Sequence, residues 1–485
     1  MSQNMLQDNS LENKLTEPST ISFNEKYFPL LTNLAVYVTA IISKIPNARI
    51  VDKIYLKFVD VLSKYMTQDQ KEQITPSLKE MIKKHQPGYE YAKKVFSINA
   101  RYKKKMIENL ILRGFSVNEH KRNQAIQEGT AVPFTVLISP TMRCNLQCIG
   151  CYANKYSRED DMPLKVLDSI LTQAEDMGIA FFTMLGGEPF IRDDLFKIYK
   201  KHNKAFFQAY TNGTLINEKT IERLFEVANV VPILSLEGFE KETDERRGKG
   251  VYKKVMNAMD LLKKANIPFG FSVDVTRKNE PVVASEEFID HMIAKGALLG
   301  WYFLSMPMGQ KPDLSLMPTP KQRAHLREFD NLVRDKKQIF IVDFWNDAPY
   351  VGGCIAGRSY VHITPKGWVE PCIFTHLAVD NINDKSLKEV MNSEFFKELR
   401  ARQPYDPNLL MPCMWIDHTK VVRELYKKYK PVETDGGSDV LKDEELKRGL
   451  DEYSKNVRKL YDPIWEKEKH KFAEPTDKNN VAAVK

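Results

Sequence analysis

Six cysteines in two groups of three are the residues here whose type and spacing suggest chemistry. Cys144, Cys148 and Cys151 fall in the run CNLQCIGC, while Cys354, Cys372 and Cys413 lie far downstream. Soft thiolates select iron–sulfur clusters or zinc. Thiolates at x3 and x2 spacing can wrap one short loop around one face of a metal site, and no fourth cysteine is close by. A closed structural zinc site has four protein ligands. Unless a residue distant in the chain fills it, the first triplet therefore leaves one metal position open, as a reactive centre requires. For the second triplet three readings stand: an auxiliary cluster, a zinc site, or metal-free buried thiols. Its fourth ligand would come from substrate, water, His376, Asp417 or His418.

The N-terminus, MSQNMLQDNSLENKL, is polar and shows no secretory signal. Reduced thiols in the cytoplasm are expected, rather than a disulfide framework. Strand-like runs occur at 134–139, 180–185, 205–211, 230–236, 269–276 and 298–306. Helical patterns between them, such as 164–177, 218–228 and 252–265, make the order strand–helix. That alternation predicts an α/β fold: a partial (β/α)6 TIM-like barrel with chemistry in the loops after the strands. The rhythm stops near residue 340. A hairpin turned at Pro365-Lys366-Gly367 and a helix over 386–400 follow.

The expected organisation is a disordered tail (1–20), a helical N-terminal region (21–130), the partial barrel (131–335), a small cysteine-bearing extension (336–420) and a charged helical C-terminal tail (421–485). From Tyr27 to Ser43 the chain carries no charge, but Pro29, Asn33 and several hydroxyls argue against a spanning helix. Core helices of a cap, or an interfacial face at the inner side of the membrane, are the readings left. The basic run Arg101, Lys103, Lys104 and Lys105 suits either. A net charge of +8 from 72 basic and 64 acidic residues is a mild bias. No aromatic-studded basic array points to nucleic acid, and no P-loop or Rossmann fingerprint is present.

CxxxCxxC after the first barrel strand resembles the signature of the radical S-adenosylmethionine (radical SAM) superfamily. Further motifs of that family recur in order over roughly 130–310: Gly186-Gly187-Glu188-Pro189, Thr211-Asn212-Gly213, Ser235-Leu236-Glu237-Gly238 and Arg247-Gly248. One departure is Gly150, where many members carry an aromatic residue; Tyr152 follows the third cysteine instead. The resemblance implies a 4Fe–4S cluster on the first triplet, whose open iron binds S-adenosylmethionine. One-electron cleavage then yields a 5′-deoxyadenosyl radical that abstracts hydrogen. It also implies cofactor contacts. Gly186 and Gly187 would let the backbone approach the ligand, with Pro189 completing the motif, and Glu188 would accept from its ammonium group. Ser235 and Arg247 would meet its carboxylate, and Asn212 and Glu237 the ribose or methionine portions. The spacing Cys354-x12-Gly367-x4-Cys372 is similar to the first half of the SPASM extension, here truncated to a 4Fe–4S site with Cys413.

An enzyme that activates a C–H bond is thus expected, with a flavodoxin or ferredoxin as electron donor. The apolar N-terminal stretch favours a hydrophobic substrate such as a lipid chain. The alternative is a peptide- or protein-modifying maturase, and the competitor from another class is a non-catalytic iron–sulfur electron carrier.

Overall fold

Short runs of aromatic and branched residues with little charge form the strands, because each is buried on both faces. In this computed structural model they are β1 (Thr135–Thr141), β2 (Phe181–Gly186), β3 (Phe206–Thr211), β4 (Val230–Ser235), β5 (Gly270–Val275) and β6 (Leu299–Leu304). The residues described are 47–63, 68–153, 160–309, 311–434 and 439–472, with isolated positions between 32 and 45. The tail 1–20 and most of the uncharged stretch 27–43 lie outside them.

Successive strands pair in parallel, in the order of the sequence. One face of the sheet meets the helices: Phe182 lies 5.5 Å from Phe207, and Phe207 lies 4.9 Å from Tyr199 of the helix Leu195–Lys201. The helix Leu164–Asp176 buries Leu167, Ile170, Leu171 and Ala174, the stripe its spacing predicts.

Three features differ from the expectation. A seventh strand, β7 (Phe340–Asp343), follows the helix Pro320–Lys336 and pairs in parallel with β6. It is four residues long, with Phe340 exposed, too short for its periodicity to register. At the other edge, the hairpin of β8 (Tyr360–Ile363) and β9 (Trp368–Glu370) joins the same sheet. β8 pairs in parallel with β1, residue for residue from Thr135↔Tyr360 to Ile138↔Ile363. The extension is therefore sewn to the strand that launches the first cysteine loop. The helix expected over 386–400 is two, Leu387–Met391 and Glu394–Ala401.

The helices at 87–127 cover the end of the barrel opposite the cysteine loop. Their donors reach the segments that precede five strands. Arg122 Nη1 binds the Gly178 carbonyl (3.0 Å), Lys105 Nζ and Asn109 Nδ2 that of Asn203 (2.8 Å each), and Arg101 Nη2 that of Glu226 (3.0 Å). Asn99 N–H binds the Asn266 carbonyl (3.0 Å), and Lys94 Nζ that of Ala297 (2.9 Å). Of the basic run only Lys103 is buried, donating to Thr39 Oγ1 at 2.9 Å; Arg101 and Lys104 stay exposed. At the C-terminus, the long helix Glu444–Glu468 packs Val457, Tyr461 and Trp465 against Leu410 and Met411. Among the described residues no helix is long and apolar enough to cross a membrane.

Candidate active site

The first cysteine loop leaves the end of β1 and is pinned by its neighbours at several points. Gly187 N–H donates to the Thr141 carbonyl (2.9 Å) and Glu188 N–H to that of Arg143 (2.8 Å). A Cβ on Gly186 would lie 2.3 Å from the Thr141 oxygen, and one on Gly187 2.2 Å from the Arg143 oxygen. Both contacts are backbone, so no rotamer change relieves them. The two glycines therefore serve the approach of the β2 loop to the root of the cysteine loop, rather than only that of a ligand.

Glu188 is fully buried, and its carboxylate is engaged inside the protein. Oε1 accepts from Thr211 Oγ1 (2.7 Å) and Phe190 N–H (3.1 Å), and Oε2 from Asn212 N–H (2.7 Å). Burial pushes the carboxyl up to about 7, against the pull of these donors. The structure thus assigns Glu188 to a strut between the β2 and β3 loops. Pro189 opens the short turn Pro189–Ile191 behind it. Asn212 continues the strut: its Nδ2 donates to Asn145 Oδ1 (2.9 Å) and approaches Cys144 Sγ (3.8 Å).

A second cluster of charge closes over the loop from β4 and the helix Glu240–Arg247. Glu237 Oε1 accepts from Arg246 Nη1 (2.6 Å) and from Arg247 Nε and Nη2 (2.8 and 2.6 Å). Its other oxygen, Oε2, is buried with no hydrogen-bond partner. A buried acceptor without a donor is one that a bound group could satisfy. Arg247, expected to pair with a ligand carboxylate, here pairs with Glu237. Ser235 Oγ lies 3.2 Å from Ser272 Oγ on β5 and is only partly buried, so it can still turn to a ligand.

Arg246 is the residue that sequence reasoning missed. Its Nε donates to the Ile149 carbonyl (3.0 Å), and Ile149 N–H returns a bond to its own carbonyl (3.0 Å). Nη2 pairs with Asp274 at the end of β5 (2.6 Å). The only signal in the sequence was the doubling of arginine beside Arg247.

All six cysteines are partly exposed, and none is in a disulfide. Burial raises the Cys144 and Cys151 thiols, and the neighbouring Cys148 adds to both effects. In the second triplet burial pushes Cys354 up to about 12 and Cys372 up to about 11, and raises Cys413 as well. Metal binding would have to displace those protons. Cys372 Sγ accepts from Tyr360 OH (2.9 Å) and Phe374 N–H (3.5 Å).

Of the expected fourth ligands, Asp417 is committed to a fully buried pair with Arg323 (2.7 Å) and to Cys413 N–H (3.1 Å). His418 Nε2 donates to the Met411 carbonyl (2.6 Å). His376 is buried with its ring 6.1 Å from that of Tyr152. Tyr152, which follows Cys151, also meets Phe374 (6.1 Å), so the two cysteine regions touch through aromatic rings. Among the described residues, no three Cys, His, Asp or Glu groups close around a single ion. Thiolate ligands of a cubane stand farther apart than ligands of one ion. Soft donors, an open position and an orphaned acceptor together fit a cluster with a chelating ligand.

Comparison with known proteins agrees. The radical SAM superfamily model matches residues 138–281, and that of the SPASM iron–sulfur cluster-binding domain matches 354–414. An uncharacterised protein of Methanocaldococcus jannaschii is 34% identical over 212 residues, 41% of this chain and 69% of that protein. The mycofactocin maturase of Mycobacterium tuberculosis is 28% identical over 301 residues, covering 58% and 76%. The AdoMet-dependent heme synthase of Methanosarcina barkeri is 22% identical over 303 residues, covering 56% and 86%. The chain belongs to the radical S-adenosylmethionine superfamily: it is an enzyme of S-adenosylmethionine and iron–sulfur clusters with a SPASM extension.

Proposed function

We propose that this enzyme is a maturase that abstracts hydrogen from a residue of a peptide or protein. Cys144, Cys148 and Cys151 hold the reactive 4Fe–4S cluster, and Cys354, Cys372 and Cys413 an auxiliary one. The cluster, when bound, supplies one electron to the sulfonium of S-adenosylmethionine. The chain's own part is to place that ligand. Ser235 and the unpaired oxygen of Glu237 offer a donor and an acceptor beside the loop, and the Gly186–Pro189 segment keeps the loop against β2. A flavodoxin or ferredoxin serves as electron donor in this reading.

The observation that carries the peptide reading is the likeness to the mycofactocin maturase, the nearer of the two named enzymes at 28% identity against 22%. The placement of the N-terminal helices supports it. The helices that carry Arg101, Lys103 and Lys105 are tied to the barrel by those side chains, which bind carbonyls and a hydroxyl of the protein. They also cover the end remote from the cysteine loop, where active sites of such barrels are not found.

The test is anaerobic. The reconstituted, reduced protein is given a peptide fraction, a lipid extract or a tetrapyrrole-containing metabolite fraction, and 5′-deoxyadenosine is quantified. Stimulation by peptides alone is expected. Stimulation by lipids or metabolites alone would move the assignment to that substrate class.

A further inference from the structure

We propose that Arg246 is a positioning residue of the cluster loop, which holds the Cys148–Cys151 segment in place and sets its electrostatic environment. The inference rests on a cluster occupying the first triplet, and is independent of the substrate class.

Only Ile149 and Gly150 separate Cys148 from Cys151. Whatever fixes those two residues fixes both sulfurs. The Ile149 side chain does not do so, since the residue is 60% exposed. Its backbone is held instead: its N–H goes to the Arg246 carbonyl and its carbonyl receives Arg246 Nε, both at 3.0 Å. The neighbouring Gly150 takes φ +67°, a left-handed turn that glycine tolerates without cost from a Cβ, and its carbonyl lies 3.5 Å from Arg246 Nη2. One arginine thus touches all three peptide groups between the two ligands.

The grip is itself anchored. Glu237 Oε1 and Asp274 Oδ2 each lie 2.6 Å from the guanidinium, which is 16% exposed in its side chain. Their field, with that of Cys148, keeps the group charged in spite of burial. Arginine stays protonated in any case and offers a planar fork that lysine cannot copy. The groups facing Arg246 are Glu237, Asp274, Arg247 and the thiols of Cys148 and Cys151. A positive charge beside a cluster favours its reduced form, and partial burial protects that effect from screening by salt. Asp274 opposes it.

This arrangement makes opposite predictions for two neighbouring changes. The midpoint of the cluster whose EPR signal responds to S-adenosylmethionine is read by redox titration, together with iron content. Arg246→Gln lowers the reduced-to-oxidised ratio at fixed potential about tenfold, a fall of about 59 mV for one electron. Asp274→Asn shifts it the other way. Arg246→Lys keeps the midpoint near that of the wild type but weakens the change in the EPR signal on adding S-adenosylmethionine, because the fork to Ile149 and Gly150 is lost. Should Arg246→Gln fail to take up iron at the first triplet while Arg246→Lys and Asp274→Asn load, a raised midpoint in Asp274→Asn together with the weakened S-adenosylmethionine response of Arg246→Lys supports the proposal. Midpoints unchanged in every variant, or shifts of one sign in both Arg246→Gln and Asp274→Asn, overturn it. A wild-type protein without any S-adenosylmethionine-responsive signal overturns the cluster assignment beneath it.

Discussion

The buried ion pair behind the second cysteine triplet lends itself to a quantitative test. Arg323 and Asp417 are both wholly buried and joined twice, at 2.7 and 3.2 Å. Arg323 Nη2 also binds the Leu410 carbonyl at 2.8 Å, and the Tyr461 ring stands 5.0 Å from the guanidinium. Asp417→Ala leaves that cation without its counter-charge, which costs about 3–5 kcal/mol. It also removes the acceptor of Cys413 N–H. Measured against a total stability of about 5–15 kcal/mol, such a loss is large. Replacing both partners by apolar residues, as in Arg323→Met with Asp417→Leu, removes the stranded charge and should recover most of the stability. Recovery of iron at the second triplet should lag behind, since the Cys413 backbone stays unsupported. Urea unfolding of the iron-free protein, followed by the fluorescence of nearby Trp415, measures the first effect, and iron content after reconstitution the second. A single variant within about 1 kcal/mol of the wild type, or a double variant no more stable than the single, would refute the reasoning.

Three further outcomes follow from the site. Gly187→Ala places a methyl group 2.2 Å from the Arg143 carbonyl. Iron should fall from about eight to about four atoms per chain as only the second cluster loads; full loading would contradict the close approach. Conversely, Cys354→Ser, Cys372→Ser and Cys413→Ser together should remove about four irons while the S-adenosylmethionine-responsive EPR signal persists. Glu188, pushed by burial from the ordinary 4.5 to about 7, holds a proton in the folded chain that the unfolded chain releases. Its contribution is complete below pH 4.5 and is lost as the pH rises through about 7, a change of about 3 kcal/mol. Glu188→Gln should flatten that part of the stability–pH curve of the iron-free protein, and an unaltered slope would show that Glu188 is not its source.

Much of this protein is legible without its fold. The six strands up to β6 follow from apolar runs bounded by helical periodicity, which are local properties of burial on one face or both. The first triplet and the motifs at the ends of β2, β3 and β4 are contiguous, so their spacing carries their meaning. The hidden parts depend on partners distant in the chain. The pairing of β8 with β1 joins Ile363 to Ile138, and no local pattern distinguishes that register from others. β7 needed its neighbour β6 to exist as a strand at all. The bonds of Arg101 and Lys105 to the barrel reach carbonyls about a hundred residues away or more, and Lys103 finds its partner in Thr39. Roles within the motifs were decided at the same level. Glu188 accepts from the Thr211 hydroxyl and Asn212 N–H at the end of β3, and Arg247 meets the buried Glu237 carboxylate, pairings that position in the sequence does not reveal. A buried charge takes the nearest complementary partner. The sequence determined which residue types stand near the cysteines, and only the tertiary structure decided which of them face one another, because hydrogen bonds and ion pairs are set by distances of a few ångströms that spacing along a chain does not encode.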